Sequence, residues 1–556
     1  MAVAFLGHHM KGMGTCPATG HLVFGLLVAT CLVFEGCGDG REQGILLTQA
    51  QESHRQMLEV LEAVRVRSAD VHPYLGQRKA RRLRDQLAAL PADEPAKISS
   101  LHFRLGIAEL FLGNERQAID HLDRAYQLFL EAGGPERVAS ELRFRLGLAW
   151  LRLGETQNCV LNHSVDSCIL PIRGGGVHAF QEGSRNALPH LQAVLDHTAP
   201  GEAGHLSARW LLNIAHMTLG QYPDEVPSSH LIPPDAFEAP AAFSRFVNIA
   251  PALGLDTFSL SGGAVADDFD RDGYLDLMVS TWDTEGQLRF FHNEGNGAFV
   301  EHTEAANLEG LFGGLNLVQA DYDNDGHLDL LVLRGAWAGV DGRHPNSLLH
   351  NQGDGTFVDV APQLKVVGPK DSFPTWFWDF DNDGILDLFV SAYAATVAHI
   401  AASHLSLATV PVELARLYRG DGHGGFEDVT QACDLDLFEQ MGGAYRGDAF
   451  ADALYENPGF GNHWLAVEVM GTSSNRSGLG IRLQVDVAAG FQEHSLYRWV
   501  GSGGSFGGNP LRQFWGLGRA EGVVRLVIYW PASDREQVFE DVPMDAIIRV
   551  TEGKDE

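Results

Sequence analysis

The alternation of apolar and polar residues changes character several times along this chain. An apolar run of thirteen residues, Leu22 to Phe34, stands near the start, followed by a short polar stretch. From residue 49 to about 225 the apolar positions and small residues are spaced as in packed helical hairpins, which predicts an all-α region. A Pro-rich stretch from Glu225 to Phe243 then reads as a stiff linker, centred on 226–240. From 241 to 460 short runs of Val, Leu and Phe are cut by Asp- and Gly-rich turns, the pattern of an all-β repeat array. From 461 to 556, WLAVEV, IRLQVDV and VRLVIYW alternate as half-buried strands and predict a small β-sandwich. The expected architecture is multidomain: helices, then a β-array, then a sandwich.

Within the β region one acidic phrase occurs three times: DFDRDGYLDLMVS (Asp268 to Ser280), DYDNDGHLDLLVL (Asp321 to Leu333) and DFDNDGILDLFVS (Asp379 to Ser391). Carboxylates at alternate positions converge when such a loop coils, and the Gly permits the sharp turn. Six to eight oxygen ligands suit a hard cation, so Ca²⁺ is the expected occupant. The first ligand set is Asp268, Asp270, Asp272 and Asp276 with the Tyr274 carbonyl. The second is Asp321, Asp323, Asp325 and Asp329 with the His327 carbonyl. The third is Asp379, Asp381, Asp383 and Asp387 with the Ile385 carbonyl.

The loops sit inside a longer unit. Phenylalanine phrases begin at Phe246, Phe299, Phe357 and Phe426, at intervals of 53, 58 and 69 residues, and HNEGNGAF, HNQGDGTF and RGDGHGGF precede the last three. Periods of that size with several short strands predict a β-propeller or a related array. These loops and Gly-Phe turns resemble the FG-GAP (VCBS-type) repeats of integrin α-subunit propellers and of many secreted bacterial proteins. That resemblance implies Ca²⁺ on the twelve aspartates named above. It also implies more repeats than are legible, because LDLFEQMGG (Leu435 to Gly443) has the strand without an acidic loop. A closed propeller needs at least four blades, so either degenerate blades are hidden, or the array is open or completed by another chain, or a segment is missing near residue 433, the last being favoured.

The C-terminal words Asn462-His463-Trp464-Leu465, Asn475 to Gly480 (NRSGLG) and Phe514 to Gly518 (FWGLG) resemble the ASPIC/UnbV module that follows FG-GAP repeats in the cartilage acidic protein family. In the helical region Leu105-Gly106, Gly113, Ala118, Leu122 and Ala125 have the spacing of a tetratricopeptide repeat. A second copy starts at Leu146-Gly147 and resumes around Ala187, Leu191 and Val194, and a third begins near Ala208. Such repeats offer a concave surface to a protein partner or brace a neighbouring domain; both readings stay open.

The insertion NCVLNHSVDSCILPIRGGGVH offers Cys159 and Cys168 as a disulfide, or the same pair with His163 and His178 as a Cys₂His₂ site of unusual spacing. The apolar run is the length of a signal-peptide core and short for a membrane span, so residues 1–37 are expected to be a signal. Gly36-Cys37 directly after it resembles the cleavage site of a bacterial lipoprotein, which implies lipidation at Cys37 ahead of plain secretion, with 38–48 as a linker. Cys433 is left over. Export places the chain outside the cytoplasm, secreted, periplasmic or lipid-anchored, where disulfides persist. With 72 acidic against 40 basic residues the formal charge is −32, which argues against a nucleic-acid partner.

No H-E-x-x-H or Walker motif is present. Arg419-Gly420-Asp421 spells an integrin-recognition tripeptide inside a repeat turn, where it reads as coincidence. The leading expectation is a non-enzymatic, Ca²⁺-binding extracytoplasmic protein that contacts a protein or glycan. The alternatives are an enzyme with unidentified catalytic residues acting on a surface substrate, and an envelope assembly scaffold. Convergent His or carboxylate groups in a deep pocket would favour the enzyme, and an apolar concave helical face the scaffold.

Overall fold

The computed structural model describes residues 39–167, 169–238, 247–335, 339–392, 413–430, 437–439, 453–455, 461–489, 492–501 and 511–554, with single positions 398, 401 and 405. Cys37, Cys168, Cys433 and the signal segment 1–37 lie outside these residues, and with them the lipidation site and the Cys159–Cys168 pairing.

Seven helices of ten residues or more open the described chain: α1 (Asp39–Val71), α2 (Arg78–Ala88), α3 (Pro95–Phe111), α4 (Glu115–Glu131), α5 (Glu136–Glu155), α6 (Glu182–His197) and α7 (Ala203–Thr218). Residues 39–48, expected in a linker, are helical and open α1. The three residues 112–114 fold α4 back on α3, and Gly106 lets the pair close: a Cβ there would lie 2.7 Å from Leu122 Cγ. In the next pair Gly183 meets Trp150 and Gly154 of α5 just as tightly. Ala187, Leu191 and Val194 are buried on α6, as their spacing requires of a second helix. Helix α1 departs from this pattern. Its Met57 and Leu61, each 1% exposed, belong to the hydrophobic core of the β-array.

The array consists of three four-stranded antiparallel sheets, each a simple meander. The first is β1 (Ala264–Asp267), β2 (Asp276–Val279), β3 (Arg289–Asn293) and β4 (Phe299–Glu301); a short α8 (Ala250–Leu253) precedes it. The second is β5 (Asn316–Ala320), β6 (Asp329–Leu333), β7 (Ser347–Asn351) and β8 (Phe357–Asp359), followed by α9 (Ala361–Leu364). The third is β9 (Ser372–Trp378), β10 (Asp387–Ala392), β11 (Arg416–Gly420) and β12 (Phe426–Asp428). Strand β5 lies beside β1 and β9, so the sheets are stacked side by side. The phenylalanine phrases at Phe299, Phe357 and Phe426 are thus the last strands of the sheets, and in the core Phe357 meets Phe269 of the first acidic loop and Phe290 of β3 edge to face, with centroids 6.1 Å apart. Among the described residues a two-stranded piece follows, β13 (Leu437–Glu439) with β14 (Ala453–Tyr455), and the described strands close no ring.

The C-terminal region has two sheets over one core. Strand β15 (His463–Met470) lies between β18 (Gln513–Gly518) and β21 (Ala546–Thr551). The other sheet has the order β17 (Gln492–Trp499), β16 (Arg482–Ala489), β19 (Gly522–Trp530) and β20 (Arg535–Val542). Trp515 and Trp530, both fully buried, lie in the core that the two sheets share. No described helix is long and apolar enough to cross a membrane.

Candidate metal centre

Each acidic phrase is the hairpin loop between the first two strands of its sheet. The closing pairs are Asp267 with Asp276, Ala320 with Asp329 and Trp378 with Asp387, one register used three times. Register explains the role of the fourth aspartate. Asp276, Asp329 and Asp387 open the second strand, are at most 1% exposed, and turn back under the loop. One carboxylate oxygen accepts the amide of the loop's second residue: Phe269 at 3.2 Å, Tyr322 at 3.2 Å and Phe380 at 2.8 Å. The other accepts an amide at the end of the third strand: Asn293 at 2.8 Å, Asn351 at 2.9 Å and Gly420 at 2.9 Å. The fourth ligand is therefore pinned by two separate parts of its own sheet.

The remaining aspartates are set by the coil of the loop. Asp268, Asp321 and Asp379 each accept two amides from residues four and five places on, among them those of Gly273, Gly326 and Gly384. Those glycines have φ of 92°, 89° and 93°, a conformation that strains any residue with a Cβ. The amides of Tyr274, His327 and Ile385 donate to Asp272, Asp325 and Asp383 at 2.8–2.9 Å, so these residues turn with the loop as the expected carbonyl ligands must.

Oxygen atoms gather accordingly. Ligand atoms within 4.8 Å of one another come from Asp268, Asp270 and Asp272, from Asp321, Asp323 and Asp325, and from Asp379, Asp381 and Asp387. Burial disfavours the ionised carboxylates, and their neighbours' charges add to it. Asp268 and Asp276 are pushed up to about 6, Asp329 and Asp379 to about 7, Asp387 to about 8, and Asp321 to about 9. Carboxylates this crowded and this dry are short of positive charge. An all-oxygen set around a tight turn fits a hard divalent cation better than a thiolate-seeking metal.

Three partners escaped the sequence reading. His292 Nδ1 lies 3.3 Å from Asp270 and 3.2 Å from Asp276. His350 Nδ1 lies 3.4 Å from Asp323 and 3.2 Å from Asp329. Burial works against the His350 cation, but the close Asp329 carboxylate and the charges of Asp323 and Asp325 outweigh it and hold the ring at about 9. In the third loop Arg419 takes the same place, 2.6 Å from Asp381 and 3.1 Å from Asp383. The signal was present: His, His and Arg each open the Gly-rich turn phrase of their repeat. Arg419 is thereby committed within the fold, and Asp421 accepts the amides of His423 and Gly425, so the Arg-Gly-Asp tripeptide has an internal use.

In the helical insertion, Cys159 Sγ is 3.6 Å from His178 Nε2, while His163 is exposed and bonds through Nδ1 to the Cys159 carbonyl and through Nε2 to Asn248. His216 is buried and bonds Gln221 at 3.2 Å, a packed histidine.

Comparison with known proteins agrees with these two β regions. The family model for the FG-GAP-like repeat matches residues 268–332, and that for ASPIC and UnbV matches residues 471–556. Cartilage acidic protein 1 of Mus musculus is 25% identical over 275 residues, covering 47% of this chain and 40% of that protein. The Homo sapiens protein matches with the same identity and coverage. The Xenopus tropicalis protein is 28% identical over 152 residues, 26% of this chain and 22% of that protein. The chain thus spans two fifths or less of the length of these curated relatives.

Proposed function

We propose that this chain is a non-enzymatic, calcium-binding interaction protein of the extracytoplasmic space, in which Ca²⁺ at the three acidic loops stiffens the β-array. The observation that carries this reading is the threefold gathering of aspartates over a buried fourth one, each set fixed by one hairpin register. Asp268, Asp270, Asp272 and Asp276, and their counterparts in the other two loops, would hold the ion together with the carbonyls of Tyr274, His327 and Ile385. The FG-GAP-like and ASPIC/UnbV matches, and relatives named cartilage acidic protein, support contact with a protein or glycan outside the cell. Tetratricopeptide-like pairing of α3 with α4 and α5 with α6 adds a second surface for a protein partner. The signal segment, with Cys37 as a lipid attachment point, belongs to the same reading.

A cleft of about 230 Å³ over β1 and β2 is lined by Leu260, Leu277, Val279 and Phe291, with no titratable group on its walls. A second cavity, beside Arg334 and His344, measures about 10 Å³, room for about one water molecule.

Calcium should raise the melting temperature of the full chain, and chelator should lower it. Titration calorimetry of the Asp323→Ala/Asp325→Ala variant should report one ion fewer than the parent. Unchanged melting in EDTA and in millimolar Ca²⁺ counts against the reading.

A further inference from the structure

The third acidic loop differs from the other two in what it touches. Strand β18 is an edge strand of the C-terminal domain, so its outward amides have no partner in their own sheet. The loop supplies one. Gly516 N–H donates to Asp379 Oδ2 at 2.7 Å and Gly518 N–H to the Asn382 carbonyl at 2.9 Å. Just before β15, the Asn462 side chain donates to the Asp381 carbonyl at 2.9 Å. A Cβ on Gly516 would sit 2.2 Å from Asp379 Oδ2 and 2.0 Å from the Asn382 carbonyl carbon, so only glycine allows the contact. Asp379, like Asp268 and Asp321, accepts two amides of its own loop, and its Oδ2 takes the Gly516 amide in addition.

Charge points the same way. Arg498 of β17, 8% exposed, lies in the field of Asp379, Asp321 and Asp387, and its Nη2 has no hydrogen-bond partner. Asp381 is 3% exposed, and its Oδ1 is likewise buried without a hydrogen-bond partner. Four loop carboxylates face the Arg419 and Arg498 guanidiniums, and Arg498 is shared with Asp321 of the second loop, so carboxylates outnumber guanidiniums here, as a divalent cation requires.

We propose that the third loop is a clasp holding the C-terminal β-domain onto the repeat array, and that a hard divalent cation bound there tightens it. The cation half rests on the calcium reading above. An ion drawing Asp379 and Asp381 together fixes the acceptors that the β18 edge needs. Docking in turn holds those ligands in place. The two equilibria are then linked, and each strengthens the other by one and the same factor.

The test is hydrogen exchange of the full chain in Ca²⁺ and in EGTA, beside calorimetric Ca²⁺ titration. Ca²⁺ should slow exchange of the 513–518 amides by about tenfold, within the range of ordinary allosteric coupling. Asp381→Asn should lose one ion and that slowing, whereas Asp270→Asn should lose one ion and keep it; the second variant controls for general loss of folding. Asn462→Ala should weaken one Ca²⁺ site by about fivefold, by reciprocity. Full calcium uptake with 513–518 exchange unaltered would overturn the clasp while sparing the calcium reading. Titration showing no bound calcium overturns both.

Discussion

Glu552, close to the C-terminus, shows how one side chain can tie a domain together. Its Oε2 accepts the consecutive amides of Thr472, Ser473 and Ser474 at 2.6, 2.6 and 2.8 Å, and its Oε1 accepts the Ser474 and Ser533 hydroxyls. Such a nest of amides is an anion site, here filled by the chain's own carboxylate. Burial alone would raise the acid, but the Ser533 hydroxyl and the amides outweigh it and hold the group well below the usual carboxylate range. A depressed folded value means stability that is fully present above the unfolded pKa, about 4.3, and is lost as pH falls through the folded value. Glu552→Gln should therefore cost about 1.5–3 kcal/mol at neutral pH, the range for bonds to a charged group. The deficit should shrink once pH drops below about 4. Fluorescence of buried Trp515 and Trp530 during urea unfolding reads this out; an equal deficit at pH 3 and pH 7 contradicts it. This contact joins residues some eighty apart, and nothing in TEGKDE announces it.

Among elements, the helices were legible where small residues mark close approach. Gly183, which opens α6 and which the sequence pattern did not single out, approaches closer still: a Cβ there would lie 2.5 Å from the Trp150 carbonyl oxygen and 2.6 Å from Gly154 N. Gly183→Ala must push α6 off α5, an overpacking cost of about 1–3 kcal/mol. Loss of helical circular dichroism at a lower temperature is the expected result, and an unshifted melt would show that the pair gives way freely. The acidic hairpins were legible for a related reason. All four aspartates of a loop lie within nine residues, so turn chemistry alone brings them together. His292, His350 and Arg419 arrive from the third strand, and only strand pairing places them beside the carboxylates.

For the whole molecule the unexpected member is α1. His54 Nδ1 accepts the Asp359 amide at 3.0 Å and Ser53 Oγ the Gln363 amide at 3.1 Å, while Met57 and Leu61 enter the array core. The helix serves the β-sheets as much as the helical region, so a cut between helices and array at the Pro-rich stretch removes part of the core. Met57→Ala or Leu61→Ala should destabilise the array by about 2–5 kcal/mol, the usual range for truncating a fully buried side chain. Urea unfolding of the full chain checks this. A cost below about 1 kcal/mol would mean that the site collapses around the gap.

From the sequence alone came the order of the three regions, the repeat unit and the twelve aspartates, because each depends on periodicity or on contacts within one turn. Tertiary structure decided the rest. It set which face of α1 is covered and which imidazole or guanidinium meets each loop. It also joined Gly516 to Asp379, 137 residues away. Such contacts cost loop-closure entropy that grows only slowly with separation, so distance along the chain neither forbids nor foretells them. They follow from which surfaces remain unsatisfied once the local elements have formed.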